Sequence, residues 1–382
     1  MRIALFATNH YQFIAAVNLK MTIFKNDDVH LFSTVWPPCF EREPFDLAYR
    51  LFDREEYATH SAELNNLAAL CFFGADDYAD ITRSFFRVEN EFNFEIEYDM
   101  VLTHGFSFFA HWVYARSYMK NSSAKLALFG DGTIFTFYPT NYFFYKDFFP
   151  VWKNKKNTEL FEVLPWFIGA DVQYLYRPEF ISENNRQITY QMVRIPQIKK
   201  NGPVRDKINS LYAFGDTYVP LENYTYIFFD SGGLGQVKCL ENEKEMLMAV
   251  SEIAGRENIL IRQHPRSPEG FYDDLDIPVD RSTPCIEHIY LNIDISEKIL
   301  IGAITTALHT PYEIFDEHPR KAVILNNLAR YNPKFPRKHA HDDSSLRAQD
   351  ELVNTYCSQF PEVYVMPKNW DDLPSALSEA AF

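Results

Sequence analysis

The stretch ENILIRQHPRS, residues 257–267, decides how the chain is read. Ile259, Leu260 and Ile261, followed by Arg262, form a short buried strand that ends at a loop. His264 then precedes Pro265. Proline disfavours the helical region for the residue before it, so His264 is held extended at the strand's end. In an open α/β sheet ligands bind at the carboxyl ends of strands. An imidazole placed there, with Arg262 and Arg266 beside it, can serve a phosphate. Strand alternation puts Arg262 and His264 on one face, which makes Arg262 the expected helper. The competing reading is a plain strand end with a partly exposed histidine.

Outward from this stretch the second half repeats one logic. Tyr226–Phe229 (YIFF) reads as a strand running into Asp230, Ser231, Gly232 and Gly233. Residues 243–254 follow as a helix with Met246, Leu247, Val250 and Ile253 on one face and Gly255 as its stop. Residues 298–302 (KILIG) form a later strand leading into Thr305 and Thr306. Thr310-Pro311-Tyr312-Glu313 reads as a capping box with proline at the first helical position. The two hydroxyls then lie in the turn between strand and helix, or they cap a slightly earlier helix. Either arrangement gathers hydroxyls and backbone N–H groups that could hold an anion, and ordinary capping is the bland alternative. Residues 322–325 and 363–366 are further strands, and a helix over 371–380 closes the chain.

The first half opens the same way. Residues 2–7 form a strand, Thr8, Asn9 and His10 a turn, and Phe13, Ile14, Val17, Met21 and Phe24 follow helical spacing. A strand at 29–33 completes a β-α-β unit, which favours a parallel sheet. No G-x-G-x-x-G is present, so the dinucleotide fingerprint is absent. Strands are expected at 70–73, 100–103 and 125–129, and a helix at 108–118. The strand 125–129 meets Gly130-Asp131-Gly132, where glycines let the backbone bring a carboxylate to the sheet edge. An Asp-Gly hairpin turn explains the same residues. Residues 138–156 are dense in aromatics and end in basic residues, as in an acceptor-binding loop, a membrane-surface patch or an aromatic flap over the core.

Length and charge set the bounds. A chain of 382 residues suggests two or three domains. A net charge of −15 argues against a nucleic-acid partner, so an anionic ligand needs a local basic pocket. Five scattered cysteines with no C-x-x-C pair fit neither a disulfide framework nor a zinc site, and point to a reducing cytoplasm. No run of about 18 apolar residues is present, so no spanning helix is expected. The only D-x-D, at Asp274-Leu275-Asp276, falls in an expected loop, so no metal is expected.

Gly-Asp-Gly at 130–132, His-Pro at 264–265 and Thr-Thr at 305–306 recur in order at strand ends. Together, and with Thr8-Asn9-His10-Tyr11-Gln12 after strand one, they resemble the bacterial sialyltransferases and polysialyltransferases. That resemblance implies a GT-B-like α/β fold of two Rossmann-like domains facing a cleft. Weak periodicity and several prolines over 174–224 place the interdomain connection around Val219–Tyr224. The expected domains are therefore 1–220 on the acceptor side and 221–368 for the CMP-sugar, with 369–382 as a helix packing back on the first. The resemblance further implies inverting transfer of sialic acid from CMP-sialic acid to a glycan hydroxyl, with no metal or other cofactor. By position, Asp131 becomes the base, with Asp230 competing for that role. His264 serves the leaving phosphate, with Thr305 and Thr306 holding it. Arg262, Pro265, Gly232, Gly233 and Glu313 are the remaining donor-binding candidates. Gly130 stands where that family carries a first acid. The alternatives are a GT-B transferase for another CMP- or CDP-activated group, and a non-catalytic glycan- or membrane-surface protein. The expected location is cytoplasmic, with room for peripheral attachment to the inner membrane.

Overall fold

A computed structural model describes residues 1–51, 96–103, 110, 113–114, 117–118, 120–130, 171–180, 191–212, 221–232, 237–282, 284–303, 305–330 and 343–378. The expected strand at 70–73, the segment 138–156, Asp131 and Gly233 lie outside the described residues. The chain divides into two units. The first is Met1–Pro196 with Asn201–Ala213, and the second is Gln197–Lys200 with Phe214–Phe382.

The first unit carries a parallel sheet of β1 (Arg2–Ala7), β2 (Asp28–Ser33), β3 (Leu47–Arg50), β4 (Met100–Thr103), β5 (Lys125–Phe129), β6 (Val172–Leu175) and β7 (Gln191–Arg194). Their order is β3-β2-β1-β4-β5-β6-β7, so the chain changes direction across the sheet between β1 and β4. The helix α1 (His10–Met21) follows β1. Its start is fixed by its own sequence. Asn9 accepts from the Gln12 amide at 2.8 Å, and Gln12 Oε1 accepts from the Thr8 amide at 2.6 Å and the Thr8 hydroxyl at 3.0 Å. Side-chain oxygens that take orphan N–H groups define a helix start. Residues 11–20 of α1 are all buried, so the helix has no wide polar face.

β5 pairs in parallel with β4 and with β6. That pairing excludes the hairpin reading of Gly130, because a two-residue turn joins only antiparallel strands. The short strands β3, β6 and β7 were not read from the sequence: β3 and β7 are half-exposed and β6 is interrupted by Gln173.

The second unit carries a parallel sheet of β8 (Tyr226–Phe229), β9 (Ile259–Arg262), β10 (Val279–Asp280), β11 (Ile299–Gly302), β12 (Lys321–Ile324) and β13 (Tyr364–Val365). The order is β10-β9-β8-β11-β12-β13, with the change of direction between β8 and β11. β8, β9 and β11 are buried at every position, which is why their sequences read as unbroken apolar runs. The helix Val237–Ala254 packs Met246, Leu247 and Val250 against Phe228, Ile261 and Ile301. It ends where Gly255 takes a φ of 80°, a left-handed value that glycine adopts without steric cost.

Within the second unit, Leu373, Ala376 and Leu377 of the closing helix Leu373–Leu377 join the core. The Leu377 carbonyl accepts from the Tyr226 hydroxyl at 3.4 Å, and the Ser378 carbonyl accepts from Lys321 at 2.5 Å. The apolar stripe is three residues wide and is filled by the nearest sheet.

Two successive Rossmann-like units, each built on a parallel sheet, are the α/β make-up expected from the sequence. No described helix is long and apolar enough to cross a membrane.

Candidate functional site

In doubly wound sheets the ligand crevice lies at the carboxyl edge, where the strand order reverses. In the second unit that point is between β8 and β11. The loops after β8, β9 and β11 carry Asp230–Gly232, Gln263–Ser267 and Ala303–Thr306. The sequence-derived residues therefore fall on adjacent strands, with β8 in the middle.

His264 is set by three contacts. Its backbone amide donates to Asp230 Oδ2 at 3.2 Å. Its carbonyl accepts from the Ser267 amide at 2.9 Å, closing a turn with Pro265 in the second position. Its Nδ1 accepts from the Arg266 amide at 3.1 Å. An Nδ1 that accepts is unprotonated, so the ring proton sits on Nε2. Gly232 closes the fourth side. It has a φ of 69°, and a Cβ there would stand 2.6 Å from His264 Nδ1. Gly232 therefore seats the imidazole.

Asp230 is buried, with 3% exposure. Its Oδ1 accepts from the Gly232 amide at 2.5 Å and the Ser267 hydroxyl at 2.8 Å, and its Oδ2 from the His264 amide. Burial raises its carboxyl above the ordinary carboxylate range, while the bonds from Ser267, Gly232 and His264 act in the opposite direction. Beside it, Ser231 is tied to the buried Glu243, which accepts from the Ser231 amide at 2.9 Å and from its hydroxyl. The Tyr272 hydroxyl is driven strongly upward by burial and by the Asp230 and Glu243 carboxylates.

Arg262 departs from expectation. Its guanidinium pairs with the fully buried Asp280 at 2.6 Å, and donates to the Ser282 hydroxyl at 2.8 Å and to the Pro284 carbonyl. Every one of these partners lies on or just after β10, on the side of β9 away from β8. The strand stops at Arg262, so the alternation that would have aligned it with His264 ends there. Arg262 braces the β10 loop and is not set to meet a phosphate at His264. Pro265 is exposed and contributes the turn.

The threonine pair realises the second of its two expected arrangements. Thr305 caps a short 3-10 turn, Thr306–Leu308, and its hydroxyl oxygen accepts from the Ala307 amide at 3.3 Å. The hydroxyl proton is left to be donated elsewhere. The Thr305 methyl lies over Gly302, where a Cβ would be 2.8 Å from it and 3.0 Å from the Phe229 carbonyl. Glycine at 302 thus lets the β11 loop close over the end of β8. The Thr306 carbonyl accepts from the His309 amide at 3.0 Å and the Thr310 hydroxyl at 3.0 Å. The expected capping box fails for that reason: His309 is the N-cap of the helix Thr310–Phe315, and Glu313 is buried in that helix. The Ala307 and His309 amides of this turn are thereby used internally.

Asp274 pairs with Lys244 at 2.5 Å, and no group of metal-binding side chains occurs among the described residues. In the first unit, Gly130 lies beside the Tyr11 ring, a Cβ there standing 3.6 Å from its hydroxyl oxygen. Three contacts around these loops were missed in the sequence. Ser267 had a signal, since H-P-R-S places proline where a tight turn wants it. Asp280 and Glu243 had none, because a partner in a buried pair cannot be located from spacing along one chain.

No family model and no curated protein matches the sequence. Among solved structures, the chain is similar to a UDP-GlcNAc 2-epimerase of Methanocaldococcus jannaschii in complex with UDP-GlcNAc and UDP. Identity is 12%, with 99% of this chain and 92% of that one covered and a TM-score of 0.47. It is similar to a UDP-glucosyltransferase of Polygonum tinctorium at 11% identity, with 96% and 84% covered and a TM-score of 0.43. A sucrose-phosphate synthase of Thermosynechococcus elongatus matches at 12% identity, with 98% and 96% covered and a TM-score of 0.38. These values transfer no activity to this chain.

Proposed function

We propose that the protein is a glycosyltransferase that takes a sugar from a nucleotide donor, with the donor phosphate held at the carboxyl edge of the second sheet. The observation that carries this reading is the fixed imidazole of His264, seated on Gly232 beside the reversal point of the strand order. A ring proton on Nε2 and the Thr305 hydroxyl proton are the donors offered to a leaving phosphate. Charge develops on that phosphate as the bond from the anomeric carbon breaks, and positioned donors act most strongly there. The ordered motifs support CMP-sialic acid as the donor and a glycan hydroxyl as the acceptor. In this reading Asp131 removes the acceptor proton and the nucleotide departs with inversion at the anomeric carbon. No metal takes part, and attachment to a membrane surface is compatible with glycan acceptors that sit there.

The test is a donor panel. CMP-sialic acid and several CDP- and UDP-sugars are incubated with galactoside acceptors, and released nucleotide is quantified. Release from CMP-sialic acid, cut strongly in His264→Ala, is expected. Release from a UDP- or CDP-sugar alone overturns the choice of donor. Absence of release and of nucleotide binding across the panel overturns the enzymatic reading.

A further inference from the structure

The carboxylate at the head of the second unit has the burial of a catalytic acid and the wiring of a brace. We propose that Asp230, with Ser267, is a positioning pair that locks the His264 turn, and that Asp230 takes no proton from the acceptor. This rests on the proposed role of His264 at the donor phosphate.

The geometry supports the assignment on three counts. First, both oxygens of Asp230 are occupied by the chain itself: Oδ1 by the Gly232 amide and the Ser267 hydroxyl, Oδ2 by the His264 amide. A general base must reach the proton it removes, and this one faces its own loops. Second, those bonds join the loop after β8 to the loop after β9, at both ends of the turn that carries the imidazole. The Ser267 amide closes the same turn on the His264 carbonyl at 2.9 Å. Third, the turn holds the Arg266 amide against His264 Nδ1, which selects the Nε2-protonated ring. Loss of either leg of the brace frees the turn, and with it the Arg266 contact and the choice of tautomer. The raised carboxyl of Asp230 agrees with burial and does not require catalysis.

The test uses the full-length protein and has two readouts. The first is ligand-free: the imidazole nitrogen signals of His264 by NMR. One tautomer, with its proton on Nε2, is expected in the parent protein, and two exchanging tautomers in Ser267→Ala and Asp230→Asn. A single unchanged tautomer in both variants overturns the brace. The second is a double-mutant cycle on donor turnover, with thermal stability measured alongside. A misplaced catalytic group costs up to about 10²-fold, so a loss approaching that is expected for Asp230→Asn and a smaller one for Ser267→Ala. Neither should cost more than about twofold in a His264→Ala background, since both act through the ring. Losses that multiply in that background assign Asp230 an independent role and overturn the proposal. If Asp230→Asn does not fold, Ser267→Ala still decides, because it removes one leg and keeps the carboxylate. If no nucleotide donor is ever turned over, the enzymatic reading fails, while the NMR readout still judges the brace.

Discussion

Gly232 lies against the face of the His264 imidazole so closely that a Cβ on it would stand 2.6 Å from Nδ1 and 2.9 Å from Cγ. The same glycine has a φ of 69°, a region costly for residues with a side chain. Gly232→Ala is therefore expected to fold with reduced stability, by about 1–3 kcal/mol for the backbone alone. Donor turnover should fall more steeply than that stability change implies, because the ring is pushed off its seat. Thermal melting and donor turnover, measured together, check it. Unchanged turnover sinks the idea that ring placement matters.

Arg262 and Asp280 form a buried pair, and each is the other's charge partner. Removing one member of such a pair strands a buried charge, at a cost of about 3–5 kcal/mol. Arg262→Ala is expected in that range by urea unfolding. The double replacement Arg262→Met with Asp280→Leu should recover most of the loss. A stable Arg262→Ala with weakened nucleotide binding would instead return Arg262 to the phosphate.

His309 is buried and stacked against both Tyr356 and Tyr364, with ring centroids 4.3 and 5.5 Å away, and those two rings also pack on each other at 4.9 Å. Burial lowers its folded-state pKa to about 3, against about 6.5 in an unfolded chain. Between those values the unfolded state binds more protons, so stability rises with pH through the window and is fully present above about 6.5. The parent protein should therefore lose stability as the pH falls from about 6.5 towards 3. His309→Phe, which keeps the stack and removes the titration, should flatten that slope. Denaturant melts across the pH series check it, and identical slopes in both proteins would falsify the assignment.

The closing helix supplies Leu373 and Leu377 to the core of the second unit. Cutting a large aliphatic residue out of a core costs about 2–5 kcal/mol. Leu377→Ala should lie in that range, and a chain ending at residue 368 should lose the cooperative melt of the second unit. Retention of that melt shows that the helix is dispensable.

In the second unit the plainest strands in the sequence were β8, β9 and β11, where Tyr226–Phe229, Ile259–Ile261 and Ile299–Gly302 read as short apolar runs. β3 and β7 escaped because their residues are half-exposed and alternate weakly. The site was half legible. His-Pro announces an extended residue at a strand's end by local sterics, and that residue is where it was expected. Arg262 misled because strand alternation was carried one residue past the strand. Asp230 stayed open as a second candidate base, because a buried acid looks the same in sequence whether it faces a substrate or its own loop. The hydrogen bonds that separate the two cases come from Ser267 and His264, more than thirty residues away along the chain.

Residues Gln197–Lys200 belong to the second unit although the chain on both sides of them belongs to the first. They are held there by the Ile198 amide on the Ile314 carbonyl at 2.8 Å and by Lys200 on the Ile293 carbonyl at 2.5 Å. The polypeptide therefore passes between its units three times, and one cut at 213 does not divide it cleanly. A fragment 1–213 carries four residues whose partners it lacks, and a fragment 214–382 is missing the piece that those partners bind. Dissection of this protein into halves calls for a graft of 197–200 onto the second half, not for a single boundary.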